Sequence, residues 1–237
     1  MPPRLTDRDQ LILAHFARYR ITTTEMLRDL FYEEQTVEAA KSTLKRLREA
    51  KLVASDKLYP AGNETYHHLT PDGARFVSLP SDVAGPYSPD TLPRYLGRLL
   101  FCCRRDTPRP KFLDTEFDAA FPGFRVPGTE FAKRFYNDAY YLDEDHDQVR
   151  RLGLLLVELG ANIARLVART LTRAHELLPA FFAEGRFTLA IAAASDGRSD
   201  TIRRELESWR AHERIEIPIR IESYPALLPF FAGAGRG

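Results

Sequence analysis

One stretch of polar side chains, in residues 36–58 (TVEAAKSTLKRLREAKLVASDKL), has the types and spacing to meet a macromolecular partner. Val37, Ala40, Leu44 and Leu47 recur at three- and four-residue intervals, so a helix gathers them on one face. The opposite face then carries Glu38, Lys41, Ser42, Lys45, Arg46 and Arg48. Lysines and arginines reach phosphates or base edges, and a short serine among them lets a helix approach a groove closely. The plainer reading is a solvated face whose lysines serve solubility.

The flanking elements must position that face. Thr6 opens an apolar pattern (Leu11, Leu13, Ala14, Phe16) that predicts a helix to about Tyr19. Thr22-Thr23-Thr24-Glu25 has capping-box spacing, with Thr22 as N-cap, and predicts a short second helix toward Phe31 that buries Met26, Leu27 and Leu30. Thr36 is placed to cap the third helix. Alternation from Val53 to Leu58, turn residues Pro60-Ala61-Gly62-Asn63 and a return run from Glu64 to Leu69 predict a hairpin. Thr70-Pro71 then restarts a helix. Three helices, a hairpin and a closing helix make the order of a winged helix-turn-helix. Such an order puts the third helix in the major groove, with Lys57 and Asn63 of the hairpin serving the wing.

"LKRLREAKLV", followed by a hairpin and "YHHLTPDGARFV", resembles the MarR-like winged-helix group and, more narrowly, the replication-relaxation proteins of plasmids and other mobile elements. The L-T-P-x-G element from Leu69 to Gly73 and the helix-to-wing spacing carry the match, which covers about a third of the chain. The resemblance implies double-stranded DNA as partner. Winged helices also bind proteins, so DNA binding is an inference from fold analogy and the basic face.

Composition bounds these expectations. The 237 residues suit one large domain or two small ones. A net charge of +1 argues against a bulk polyanion binder and leaves room for a local basic patch. The apolar run Leu152–Leu159 is too short to span a bilayer, and Arg4, Asp7, Arg8 and Asp9 fall where a signal peptide needs apolar residues. With Cys102 and Cys103 adjacent and no other cysteines, a reducing cytoplasm is the expected location, and no membrane partner is expected.

Residues 1–80 are therefore expected to form the DNA-binding domain and residues 81–111 a linker with a basic connector helix. From Ser78 to Pro93 the chain is rich in Pro, Ser, Gly and Asp. "PRYLGRLLFCCRR" then predicts a helix with Leu96, Leu99, Leu100 and Cys103 on one face. Arg94, Arg98, Arg104, Arg105, Arg109 and Lys111 make this the most basic region, either a second phosphate-binding surface or, the favoured expectation, a connector packing one domain on the other. The cysteines read as packing residues.

Residues 112–237 alternate strand and helix signals and are expected to form a mixed-sheet α/β domain. "KFLDTEFDAAF" suggests a helix; "FRVPGTEF" and "RFYNDAYYL" suggest short strands. "RRLGLLLVELGA" suits the middle of a sheet; Asn162–Ala183 reads as one long helix, Phe187–Ala194 as a buried strand, Thr201–His212 as a helix and Ile215–Ile221 as a final strand, with Pro218 at an edge or its start. The order α-β-β-β-α-β resembles the PD-(D/E)xK nuclease core, of restriction-endonuclease-like type. That resemblance implies Asp138 and Glu158 as the carboxylates holding Mg²⁺, the sole cofactor in prospect and only if the site is active. The sequence departs from the pattern: Gly160 stands at the lysine position and Asn137 at the usual proline. Arg165 or Arg150 could supply the cation only if the fold brings one there. A gap of this kind points to a DNA-binding or dimerisation scaffold.

Two further patterns are weaker. Asp143–Gln148 has D-x-D-x-D spacing but lacks the glycine and distal glutamate of a calcium loop. Arg165, Arg169 and Arg173 lie four apart and form a stripe. No phosphate-binding glycine loop, nucleophile elbow or zinc spacing occurs. The expectation is a homodimeric, site-specific double-stranded DNA-binding protein controlling transcription or replication of a plasmid or other mobile element, dimerised through the second domain or the Arg94–Arg105 helix. A metal-dependent nuclease using Asp138 and Glu158, and a protein-binding adaptor, are the alternatives.

Overall fold

The protein, a computed structural model, is described over residues 5–32, 35–59, 64–103, 109–124, 139–144, 149–160, 162–213 and 217–231. It is an α+β chain that divides into two compact units, Met1–Pro108 and Arg109–Gly237. No helix among the described residues is long and apolar enough to cross a membrane.

The first unit opens with α1 (Asp7–Tyr19). Thr6 caps it: the hydroxyl accepts from Asp9 N–H and the Asp9 carboxylate accepts from Thr6 N–H. A left-handed turn at Arg20 (φ 75°) leads to β1 (Ile21–Thr23), a strand too short to give a periodic signal. The N-cap of α2 (Thr24–Phe31) is Thr23, whose hydroxyl accepts from Met26 N–H; the expected cap, Thr22, is a strand residue. Pairing of Ile21, Thr22 and Thr23 with His68, His67 and Tyr66 keeps the backbone extended through Thr22, so the cap falls one residue later. Of the apolar residues expected inside α2, Leu27 is buried and Met26 and Leu30 are half-buried. Thr36 precedes α3 (Val37–Glu49), but its side chain makes no capping bond.

The hairpin forms from β2 (Val53–Lys57) and β3 (Thr65–Leu69), Val53 opposite Leu69 and Lys57 opposite Thr65. With β1 it makes an antiparallel sheet of order β1-β3-β2. Ile12, Phe16, Leu27, Leu44, Leu47, Leu52 and Leu69 pack beneath it. The L-T-P-x-G element has a mechanical explanation. Thr70 caps α4 (Pro71–Phe76) by accepting from Gly73 N–H, and its own N–H donates to Leu52 O. A Cβ on Gly73 would lie 1.9 Å from that same Leu52 oxygen.

The stretch expected as a linker folds onto this unit. Tyr87 N–H donates to the Tyr66 hydroxyl, Tyr87 OH donates to Val83 O, and Gly85 lies so close to the His68 ring that a Cβ would sit 2.6 Å from Nδ1. The next helix, α5 (Leu92–Cys102), expected as a connector, packs on α1 and β1 within the first unit, burying Leu92, Leu96, Leu99, Phe101 and Cys102. Apolar spacing showed that α5 is amphipathic but not which core it joins.

In the second unit a 3₁₀ turn (Asp114–Glu116) and the short α6 (Phe117–Ala120) replace the longer helix expected there. The sheet runs β4 (Tyr140–Glu144), β5 (Arg150–Val157), β6 (Phe187–Ala193), β7 (Ile219–Ser223), with β4 antiparallel to β5 and the others parallel. The first expected strand lies almost wholly outside the described residues. The long helix expected from Asn162 is two, α7 (Ile163–Leu177) and α8 (Pro179–Ala183), because Pro179 lacks an N–H to continue the ladder. Helix α9 (Asp196–Glu213) precedes β7, and α10 (Leu228–Phe231) follows it. Leu152, Leu154, Leu189 and Ile191 of the sheet pack with Val167, Leu171, Ile202 and Leu206 of the helices. Gly153 sits opposite Tyr141, where a Cβ would be 2.1 Å from the tyrosine ring.

Gly73→Ala is expected to destabilise the chain by about 2–3 kcal/mol, because backbone rather than a flexible side chain blocks the added methyl. Thermal and urea unfolding check this; a loss no larger than that of Asp72→Ala on the exposed side of α4 would show that the Leu52 contact relaxes freely.

Candidate nucleic-acid interface

Helix α3 buries Ala40, Thr43, Leu44 and Leu47 and exposes Glu38, Lys41, Ser42, Lys45, Arg46, Arg48 and Glu49. Each of its two lysines stands beside a glutamate. Lys41 Nζ lies 3.4 Å from Glu38 and Lys45 Nζ 3.9 Å from Glu49, each pair within the helix. A bond from its own N–H, and then the hydrogen bond from Lys41, lower the Glu38 carboxyl below its ordinary range. Exposed pairs of this kind contribute about 0–1 kcal/mol, so the lysines can exchange them for phosphates at little cost.

Two of the expected groove residues are instead engaged inward. Arg46 Nη2 bonds Asp9 at 2.5 Å and approaches Thr43 Oγ1 at 3.3 Å. The Asp9 carboxylate is fully buried. Burial alone would raise its pKa; the bond from Arg46, followed by those from Thr6 N–H and hydroxyl, outweighs burial and holds the carboxyl below its ordinary range. Thr43 accepts from the buried Tyr32 hydroxyl, over whose ring Arg8 lies. Arg46 is thus the clamp of α3 on α1, a role invisible in the sequence because its partner lies 37 positions earlier.

Arg48 donates to Ser55 on β2, Ser55 contacts His67 Nδ1 at 2.8 Å, and His67 Nε2 contacts Thr24 Oγ1 at 3.0 Å. This chain ties the end of α3 to the hairpin and to the start of α2. Burial, then Arg48 and His68, depress His67 to about 4. His15 sits against Thr22 Oγ1 and is depressed by burial and then Arg18 to about 3. Lys57 is exposed at the end of β2, beside Tyr59, which is 72% exposed; Tyr59 is an aromatic that pattern-reading passed over. Asn63 lies outside the described residues.

The basic region around α5 is divided between the two units. Arg98 is buried over the Tyr95 ring in the first unit; Arg109 and Lys111 are buried in the second, where Arg109 pairs with Glu222 at 2.8 Å. Arg94 is exposed, and Arg104 and Arg105 are outside the described residues. Cys102 and Cys103 are buried thiols not joined in a disulfide, and burial followed by the neighbouring Cys102 raises Cys103.

In the second unit Glu158 follows β5 with its carboxylate buried. Oε1 accepts from Arg198 at 2.9 Å and from Gly160 N–H at 2.7 Å, while Oε2 is buried with no hydrogen-bond partner among the described residues. The glycine at the lysine position has a structural cause: its φ of +88° turns the N–H back onto Glu158. The cation that arrives is Arg198 of α9, not Arg150 or Arg165. Arg150 pairs with Glu144, and Arg165 lies in the exposed stripe with Arg169 and Arg173. Glu158 raises the Arg198 pKa, chiefly by its hydrogen bond. Asp138 and Asn137 lie outside the described residues. Among the described residues no group of three or more His, Cys, Asp or Glu could hold a metal ion. Asp143, the first acid of the calcium-like pattern, is buried in β4 and 3.6 Å from Arg220; residues 145–148 are outside the described residues.

No protein-family model, curated protein or solved structure matches this chain.

Arg46→Ala is expected to cost about 2–3 kcal/mol of stability by leaving Asp9 buried without its cation, and a double-mutant cycle with Asp9→Asn should be strongly non-additive. Additive losses in urea unfolding would show the pair to be uncoupled. The depressed histidines set an acid limit. Each is neutral when folded and near 6.5 when unfolded, so its contribution is intact above pH 6.5 and is lost as pH falls toward 4. Stability measured from pH 7 to 4.5 should drop, and His67→Gln should flatten the drop; an unchanged pH profile would remove His67 as a cause.

Proposed function

We propose that the first unit is a winged helix-turn-helix related to the MarR-like and replication-relaxation group. It reads duplex DNA through α3 and regulates transcription or replication of a plasmid or other mobile element as a homodimer in the cytoplasm. The observation that carries this reading is the outward face of α3. Lys41, Ser42 and Lys45 stand exposed on a helix whose other cations, Arg46 and Arg48, are spent on holding it in place. The strand β1, lying between α1 and α2 and completing a sheet with the hairpin, supports the same architecture. Lys57 and Tyr59 lie where a wing approaches the backbone or minor groove.

The glutamates refine the mechanism. Glu38 and Glu49 offset Lys41 and Lys45, so bulk attraction to phosphate is weak and base-edge contacts carry a larger share of affinity. A carboxylate in a groove also accepts from the cytosine amino group and repels misplaced phosphates. One recognition helix reads few base pairs; a dimer on two half-sites about one helical turn apart supplies the rest. In the second unit, a restriction-endonuclease-like scaffold without hydrolytic function accords with Glu158 being held by Arg198.

Fluorescence anisotropy against the chain's own upstream DNA and a scrambled duplex, at low and physiological salt, tests the reading. Preference for the upstream duplex should survive physiological salt. Lys45→Ala should weaken the specific duplex by about 1–3 kcal/mol, and Glu38→Gln should strengthen the scrambled one. Binding to neither duplex would sink the proposal and favour a protein-binding role for the same face.

A further inference from the structure

The sheet of the second unit treats its two edges differently. The outer side of β4 is covered: Phe112 N–H donates to Tyr140 O at 2.8 Å, Leu142 N–H donates to Pro110 O at 3.1 Å, and Lys111 bridges antiparallel to Tyr141. β7 is the opposite edge, and among the described residues no strand pairs with its outer side. All of its residues are half-buried. A bare edge offers a row of N–H and C=O groups to another chain.

The ladder settles which groups those are. Leu189 N–H donates to Pro218 O, and Tyr224 N–H donates to Ala193 O, so the even-numbered positions turn toward β6. By strand alternation Ile219, Ile221 and Ser223 turn their backbone groups outward.

We propose that β7 pairs antiparallel with β7 of a second copy of this chain, centred on Ile221, so that one sheet runs through a two-fold dimer. In that register Ile221 faces Ile221 and Ile219 faces Ser223, each a hydrogen-bonded pair made from outward groups. Arg220 falls opposite Glu222 of the second copy, and Glu222 opposite its Arg220: the strand IRIES is its own charge complement. The adjacent two-fold registers also join outward backbone groups but fail on charge: centring on Arg220 or Glu222 sets like charges against each other. The charges are accessible, with Arg220 33% and Glu222 14% exposed, and they join an existing network, since Arg220 lies 3.6 Å from Asp143 and Arg109 lies 2.8 Å from Glu222.

Apolar surface accompanies the edge. Ile219 and Ile221 line a shallow groove with Leu206 of α9, rimmed by Arg203 and Glu207. A two-fold mate presents the same groove in return, as an isologous interface requires. The β7 edge shares no residue with α3, so this dimer stands or falls separately from DNA binding by α3.

Sedimentation velocity or light scattering of the full chain at micromolar concentration should give twice the 27.1 kDa monomer mass. Ile221→Pro removes one outward N–H, leaves the β6 ladder alone, and should return the mass to 27.1 kDa with unchanged far-UV circular dichroism. A wild-type chain of monomer mass, or a dimer that a folded Ile221→Pro leaves intact, overturns the proposal. Should Ile221→Pro unfold the chain, Ile221→Cys decides. The two cysteines would lie about 5.5 Å apart at Cα, within disulfide reach, so oxidation should give a covalent dimer, and its absence overturns the proposal.

Discussion

A carboxylate buried in the first helix governs where the third one points. Asp9 is fully enclosed, yet it must remain hydrogen-bonded on every side that matters: it accepts from Thr6 N–H to complete the cap of α1 and from Arg46 to join α3. An uncompensated charge there is costly, so the geometry of α3 against α1 is strongly specified. The Thr43–Tyr32 bond lies beside it, and the Arg48–Ser55–His67–Thr24 chain fixes the other end of the helix to the hairpin. Between these anchors the outward face of α3 is left to Lys41, Ser42 and Lys45. Two of the helix's own cations, Arg46 and Arg48, thus immobilise it.

The second unit follows the same logic with other parts. Glu158 ends β5 inside the protein, and the left-handed turn at Gly160 and the arrival of Arg198 together satisfy Oε1. The departure from a nuclease-like pattern at Gly160 is therefore a consequence of local geometry: a side chain with a Cβ is strained at a φ of +88°, and the N–H is needed where it is. The side of the sheet bearing Tyr141, Asp143, Thr188, Arg220 and Glu222 is polar, while the side facing α7 and α9 is apolar. That asymmetry leaves the strand edges as the places where the two environments meet. Pro110–Phe112 closes one of them.

Much of the architecture was legible before any coordinates. Helix α1, the short α2, α3, the hairpin, α4 with Thr70 at its cap, β5, β6 and Pro218 ahead of the last strand all follow from periodicity, capping residues and turn chemistry. Most of the errors share a cause. β1 has too few residues for a period and forms by pairing with β3; the cap of α2 moved because sheet pairing held Thr22 extended; and the stretch from Ser78 to Pro93, loop-like in composition, is held by Tyr66, His68 and Tyr87. In these cases a contact distant in sequence overrode a local signal, whereas the helix split at Pro179 is a local effect of the missing N–H.

The candidate site divides along the same line. The sequence by itself determined that α3 is amphipathic, that its outward face mixes lysine, serine and glutamate, and that Glu158 closes a central strand, because these depend on spacing along a single element. Only the tertiary structure decided that Arg46 and Arg48 serve the fold, that Arg109 and Lys111 are buried, and that Arg198 is the cation at Glu158. A charge is defined by its partner, and the partners lie 37 residues away for Arg46 and 40 for Arg198, at separations that no local pattern encodes.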